Sequence, residues 1–222
     1  MDPKTLAKYL DFANHHQNAT HTDIEFLCQK VKEYGFNSAF MDPYYVPFAK
    51  KIMNGQGLVG TVMSFPLGQE SFEEQIFSVT WAAKNGADEI DCCVNFGLFL
   101  EGKYDLLLGQ MKNIVETAKN LKKTIIIKFI NEVGLFTDDQ IKKFAELTEK
   151  SGADFVKICS GMGPRGPTIR DVELVKSAVS KKMRVKVAGG ISTYEKAMEF
   201  INAGVNRIGT SRAVEIVSNI LT

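Results

Sequence analysis

The stretch "KSGADFVKICSGMG", residues 150–163, decides how this chain is read. Phe155, Val156, Ile158 and Cys159 have the apolar, β-branched and aromatic character of a buried strand. Gly152, just before them, has the place of a left-handed helix C-cap. Lys157 stands in the middle of the apolar run. An ammonium group on a buried strand carries a large desolvation cost unless something compensates. The stretch therefore poses two questions: whether its helix–glycine–strand plan recurs, and what holds the lysine.

The plan recurs. "EYGFNSAF" (33–40), "KNGADEID" (84–91), "KSGADFVK" (150–157) and "NAGVNRIG" (202–209) each run from a helical pattern through a glycine into a strand. The glycines are Gly35, Gly86, Gly152 and Gly204, and turns this short join packed α and β layers. Further β-rich runs lie at "LVGTVMSF" (58–65), "TIIIKFI" (124–130) and "RVKVA" (184–188), with a weaker one at "YLDFA" (9–13). Helical patterns fill 21–34, 44–53, 70–85, 104–120, 137–151, 168–181, 193–203 and 212–221. Thr137 with Gln140, and Ser192 with Glu195, have capping-box spacing.

Eight strands thus alternate with eight helices over 222 residues, about 28 per βα unit. The rival, a doubly wound open sheet, usually carries a glycine-rich phosphate turn after its first strand. Here that segment, "DFANHHQNAT" (11–20), has no glycine, and the glycines gather late in the chain, where a barrel keeps its phosphate site. No linker or low-complexity segment divides the chain. The expectation is an α/β protein, a (β/α)8 TIM barrel forming a single domain over residues 1–222.

Composition narrows the partners. Net charge is +1, with 45% hydrophobic and 24% charged residues. Nothing in that balance favours nucleic acid or an anionic membrane surface. No apolar run reaches the roughly 18 residues of a bilayer span, and "MDPKTLAKYL" lacks an apolar signal region. The expected setting is cytoplasmic. The cysteines, Cys28, Cys92, Cys93 and Cys159, lack metal-site spacing and read as small buried hydrophobes. His15, His16 and His21 read as solvated loop histidines rather than metal ligands.

In a barrel, inward side chains at the C-terminal strand ends build the active site. Asp91, Lys128, Lys157 and Lys186 interrupt four apolar strands, and Glu132 follows the fifth. A single buried Asp–Lys pair reads equally well as a structural ion pair. Two lysines facing one carboxylate are harder to explain that way, because the second charge is not neutralised. A lysine beside another cation sheds its proton more easily, and a neutral amine forms a Schiff base with a carbonyl. Asp91 is then suited to move protons. "VAGGIST" (187–193) and "RIGTSRAV" (207–214) each follow a late strand and open a helix, as phosphate cradles do, and "SGMGPRG" (160–166) adds flexible backbone. Tight turns are the alternative reading of each glycine pair. Arg212 reads either as added positive charge or as a solvated side chain.

"ADEIDCCVN", "ADFVKICSGMGPRGPT", "VKVAGGIST" and "RIGTS" resemble the deoxyribose-phosphate aldolases, class I aldolases on a (β/α)8 barrel. "DPYYVPFAKK" (42–51) and "SFPLGQESFEEQIF" (64–77) also look like segments of that family. The resemblance implies that Lys157 is the Schiff-base lysine, Lys186 the second lysine and Asp91 the proton-relaying aspartate. It implies substrate and phosphate binding by Gly161, Gly189, Gly190, Gly209, Ser211 and Asp11. The implied reaction is reversible cleavage of 2-deoxy-D-ribose 5-phosphate to D-glyceraldehyde 3-phosphate and acetaldehyde, in deoxyribonucleotide catabolism. No metal or organic cofactor is implied, and the implied assembly is a homodimer or homotetramer.

The chain departs from the family pattern in three places. Where many members read "DHTLLKP", this chain reads "DFANHHQ"; Asp11 is kept, but Phe12 and Ala13 replace polar residues. Ile158-Cys159-Ser160-Gly161 replaces Thr-Ser-Thr-Gly. The chain ends "NILT", where some members carry a tyrosine that reaches the site. A related aldolase with another phosphorylated substrate, or a non-catalytic phosphate-binding barrel, remains the alternative.

Overall fold

The computed structural model of the chain describes residues 1–218. Among them eight strands close into a parallel barrel in sequence order, β1 pairing with β8. The strands are β1 (Leu10–Asn14), β2 (Ser38–Met41), β3 (Leu58–Met63), β4 (Glu89–Cys92), β5 (Ile126–Asn131), β6 (Phe155–Ile158), β7 (Arg184–Ala188) and β8 (Arg207–Thr210). Around them lie α1 (Pro3–Ala7), α2 (His21–Tyr34), α3 (Val46–Met53), α4 (Phe72–Lys84), α5 (Phe96–Leu100), α6 (Tyr104–Leu121), α7 (Asp138–Lys150), α8 (Ile169–Ala178), α9 (Tyr194–Asn202) and α10 (Ala213–Ser218). The main core lies between the barrel and this helical ring, with Ile127, Phe129, Phe144 and Val172 among its fully buried residues.

The repeated plan carries a second signal. Two residues after each glycine comes Asn37, Asp88, Asp154 or Asn206. Asp88 accepts the Val59 backbone N–H at 2.8 Å, Asp154 that of Ile127 at 2.9 Å, and Asn206 that of Val185 at 2.9 Å. Each side chain thus satisfies the backbone N–H of the second residue of a neighbouring strand, which would otherwise be left unpaired near the barrel's N-terminal end. Asn37 instead turns inward and donates to Asp11 at 2.9 Å.

Several boundaries differ from those read in the sequence. α1 and α5 were not expected, because five residues are too few to show helical periodicity. β3 ends at Met63 rather than 65, because Ser64 takes φ 52° and turns the chain. α8 ends at Ala178, where Val179 is already extended at φ −123°. The expected Ser192–Glu195 capping box is absent: Thr193 is the N-cap and accepts the Lys196 N–H, and the lysine at N3 has no acceptor to return to the cap. The Thr137–Gln140 box is present as expected. The expected last helix runs to 221, and its residues 219–221 lie outside the described residues.

Candidate active site

Strand register sets the site. Lys157 on β6 and Lys186 on β7 are register partners, so their side chains leave the barrel wall side by side. Asp91 on β4 is the partner of Lys128 on β5. All four side chains point inward and are almost wholly buried. Lys157 Nζ and Lys186 Nζ meet the same oxygen of Asp91, Oδ2, at 2.9 and 2.8 Å, while Lys128 Nζ meets Oδ1 at 2.9 Å.

Below them the charges continue. Lys186 also reaches Asp11 Oδ2 at 2.7 Å. Arg207 on β8 bridges Asp11 at 2.8 Å and Glu89 at 3.2 Å, and Lys128 pairs with Glu89 as well. Among the described residues this connected ladder holds three carboxylates (Asp11, Glu89, Asp91) against four cations (Lys128, Lys157, Lys186, Arg207). Fully ionised, it carries one surplus positive charge in the barrel core, and loss of one lysine proton is the least costly way to remove it.

The individual groups respond accordingly. Burial pushes the Lys186 ammonium down, its neighbours Lys128 and Lys157 add to that, and the attraction of Asp11 and Asp91 does not compensate. Burial also disfavours the charged form of Lys128, but Asp91, Glu89 and Asp11 outweigh it and keep that ammonium firmly protonated. Burial would raise Asp91; the three lysines outweigh it and hold the carboxyl well below its ordinary range. The downward push expected for the nucleophile from its neighbour is thus seen on Lys186 itself.

Above the lysines opens a cavity of about 370 Å³, a size suited to a small phosphorylated sugar. Asp91, Lys157 and Lys186 form its floor. Gly161, Gly189, Gly190, Gly209, Ser211 and Arg212 lie on its wall, so the structure brings these sequence candidates together. Gly189 has φ +105°, and a Cβ there would stand 3.1 Å from the Gly161 Cα; the β6 and β7 loops pass backbone against backbone. A Cβ on Gly209 would stand 3.2 Å from Lys186 Cε, so glycine leaves room for that lysine. Thr210 ties the two late loops: its hydroxyl donates to the Ile191 carbonyl at 2.6 Å and accepts the Arg212 N–H at 2.9 Å.

Two sequence expectations are corrected. Asp11 is not on the cavity wall. It is fully buried beneath Lys186, where Ser38 and Asn37 donate to it, so it is a counter-ion in the ladder rather than a substrate ligand. His15 is not a solvated loop residue. It is half-buried on the cavity wall, 3.2 Å from Asp42 and packed against Phe65, with ring centroids 5.2 Å apart. His21 packs against Phe48 and Tyr45 at 4.7 and 5.2 Å. His15, Phe40, Phe65, Ser160 and Thr210 are cavity residues that sequence reasoning missed. They sit in loops or at ordinary strand positions, and only the closed barrel collects them.

The cysteines are free and buried. Burial pushes Cys28 up to about 11 and Cys93 up to about 12, leaving neutral thiols rather than nucleophiles. Glu132 accepts the Ser160 N–H at 3.0 Å and props the β6 loop from behind.

Residues 1–211 match the model of the family described as "DeoC/LacD family aldolase". The chain belongs to this aldolase family. It is 41% identical to a deoxyribose-phosphate aldolase of Caldicellulosiruptor saccharolyticus, over 98% of this chain and 99% of the relative. It is 38% identical to the one from Carboxydothermus hydrogenoformans, over 98% and 96%. The tetrameric deoxyribose phosphate aldolase structure from Aeropyrum pernix superposes with a TM-score of 0.92 at 27% identity, covering 100% of this chain and 93% of that one. Family and fold therefore agree with the barrel read from the sequence.

Proposed function

We propose that this aldolase catalyses reversible cleavage of 2-deoxy-D-ribose 5-phosphate into D-glyceraldehyde 3-phosphate and acetaldehyde through a Schiff base on Lys157. The observation that carries this is the shared Asp91 oxygen between Lys157 and Lys186, at the floor of a cavity walled by two glycine loops. The curated relatives that bear the name of this activity support it.

Lys157 stands slightly more open than Lys186, at 3% against 1% exposure, and is the one whose amine attacks the aldehyde carbon. Lys186, pushed toward its neutral form, and Asp91 share the protons that move as the carbinolamine loses water. The resulting protonated imine draws electrons as the C3 hydroxyl gives up its proton and the C2–C3 bond breaks. Glyceraldehyde 3-phosphate departs, and an enamine remains on Lys157. Protonation of its carbon and hydrolysis then release acetaldehyde. The Gly189–Ser192 and Gly209–Arg212 loops hold the phosphate, remote from the reacting carbons, so its binding orients the sugar. The protein acts as a cytoplasmic homo-oligomer in deoxyribonucleotide breakdown; the tetrameric relative supports assembly.

A second reading has one observation in its favour. Ala13 on the cavity wall offers no hydrogen bond to a sugar hydroxyl, which would suit another phosphorylated aldehyde.

Borohydride trapping followed by peptide mass spectrometry tests both. A reduced two-carbon adduct on Lys157 from the sugar phosphate is expected. Labelling by acetaldehyde but not by the sugar phosphate would move the substrate to the second reading. No selective labelling of Lys157 by either would overturn the Schiff-base mechanism.

A further inference from the structure

The mechanism leaves one proton without a donor. After cleavage the enamine must be protonated at carbon, and the reverse reaction must remove a proton from that same carbon. Asp91 and Lys186 serve the carbinolamine at the floor and are held there, Asp91 by three lysines and Lys186 between Asp91 and Asp11, so neither is free to follow the enamine carbon. Apart from the floor residues, the titratable side chains on the cavity wall are His15, His16 and Arg212. Arg212 does not give up its proton in a protein and is paired with Glu215. His16 is exposed, and its side chain has no protein partner among the described residues.

His15 differs from both. Its Nδ1 lies 3.2 Å from Asp42 Oδ2, which fixes Nδ1 as the donor of that contact and leaves Nε2 without a protein partner among the described residues. Its ring lies between two aromatic rings that each cover a lysine. Phe65 is 5.2 Å from His15 and 5.5 Å from Lys157 Nζ; Phe40 is 6.5 Å from His15 and 3.8 Å from Lys186 Nζ. The imidazole and Lys157 therefore line one cavity and share Phe65 as a neighbour. Its own side chain is 15% exposed and that of Asp42 43%, so the pair joins the cavity to solvent.

We infer that His15, oriented by Asp42, is the catalytic residue that delivers and removes the proton at the enamine carbon. This rests on the Schiff-base reading of Lys157. In the cleavage direction the enamine nitrogen lone pair closes the C=N bond, and the carbon–carbon π pair takes the Nε2 proton. The N–H electrons stay on Nε2, which takes a fresh proton from solvent water once acetaldehyde has left. In the synthesis direction Nε2 takes the methyl proton of the acetaldehyde imine, and the C–H electrons become the enamine double bond. Atoms and charge balance without any further reactant.

The step can be isolated with acetaldehyde alone. In D2O the full-chain enzyme should exchange the acetaldehyde methyl protons for deuterium, read by proton NMR, while borohydride trapping reports the imine. His15→Gln should slow exchange by about 10²-fold, the scale of general acid–base catalysis, with the Lys157 adduct still forming as in the unaltered protein. Asp42→Asn should slow it by a smaller factor. Exchange within a few-fold of the unaltered protein in His15→Gln overturns the inference. So does unchanged exchange with a raised KM for the sugar phosphate, which would make His15 a hydroxyl ligand. Loss of the adduct in His15→Gln also overturns it, since the residue would then support imine formation. Failure of the unaltered enzyme to form any adduct would instead strike the Schiff-base reading itself.

Discussion

Replacing Asp91 with asparagine tests the charge ladder most directly. The carboxylate meets three ammonium groups at 2.8–2.9 Å. Without it, Lys128 keeps Glu89 and Lys186 keeps Asp11, but Lys157 loses its described carboxylate partner. Two carboxylates then face four cations. Breaking a buried pair by removing one partner costs about 3–5 kcal/mol, which for a domain of this size is a fall in Tm of roughly 6–20 °C. The cost depends on pH with a definite sign. Lys186 already binds its proton less tightly than in the unfolded chain, and removing Asp91, which holds that proton, weakens it further. Stability therefore rises with pH wherever the unfolded state holds more protons. The Tm deficit of Asp91→Asn relative to the unaltered protein should be largest near about pH 6 and shrink toward about pH 9, followed by thermal melts in matched ionic strength. A deficit that is absent, or equal at both pH values, would refute the view that surplus core charge is what poises a lysine for deprotonation.

Two further outcomes follow from the geometry. Gly209→Ala places a methyl 3.2 Å from Lys186 Cε and 3.3 Å from the Ala188 Cβ. It should lower kcat by about tenfold to 10²-fold through displacement of the lysine while leaving Tm within a few degrees; an unchanged kcat would mean that Lys186 tolerates movement. Asp154→Ala leaves the Ile127 N–H unpaired and frees Lys119. The loss should be about 1–3 kcal/mol, seen in urea melts, with kcat unaffected because the contact lies at the barrel end away from the cavity; no change in melting midpoint would contradict the clamp role.

The sequence by itself determined the alternation of elements, the closed barrel and the lysine-centred floor of the site. Those features are local or nearly so. A helix, a glycine and a strand entry are neighbours in the chain, and a lysine inside "ADFVKICS" is conspicuous because its immediate surroundings are apolar. Even the strand clamps Asp88, Asp154 and Asn206 were present in the repeat, at a fixed offset from the glycine.

What only the tertiary structure decided involves distances between strands remote in sequence. Asp11 is as close to Lys186 as hydrogen bonding allows, yet 175 positions separate them, so nothing local could show that it lies beneath the site rather than in its wall. Glu89 and Arg207 complete the ladder for the same reason. His15 lies in a glycine-free loop with polar neighbours, and its local sequence reads as solvated. It becomes half-buried only because β1 closes beside β2 and brings Phe40, Asp42 and Phe65 around it. Short-range periodicity records which face of an element is apolar. It does not record which charges share the space inside the barrel, because closure sets that space and every strand contributes to it.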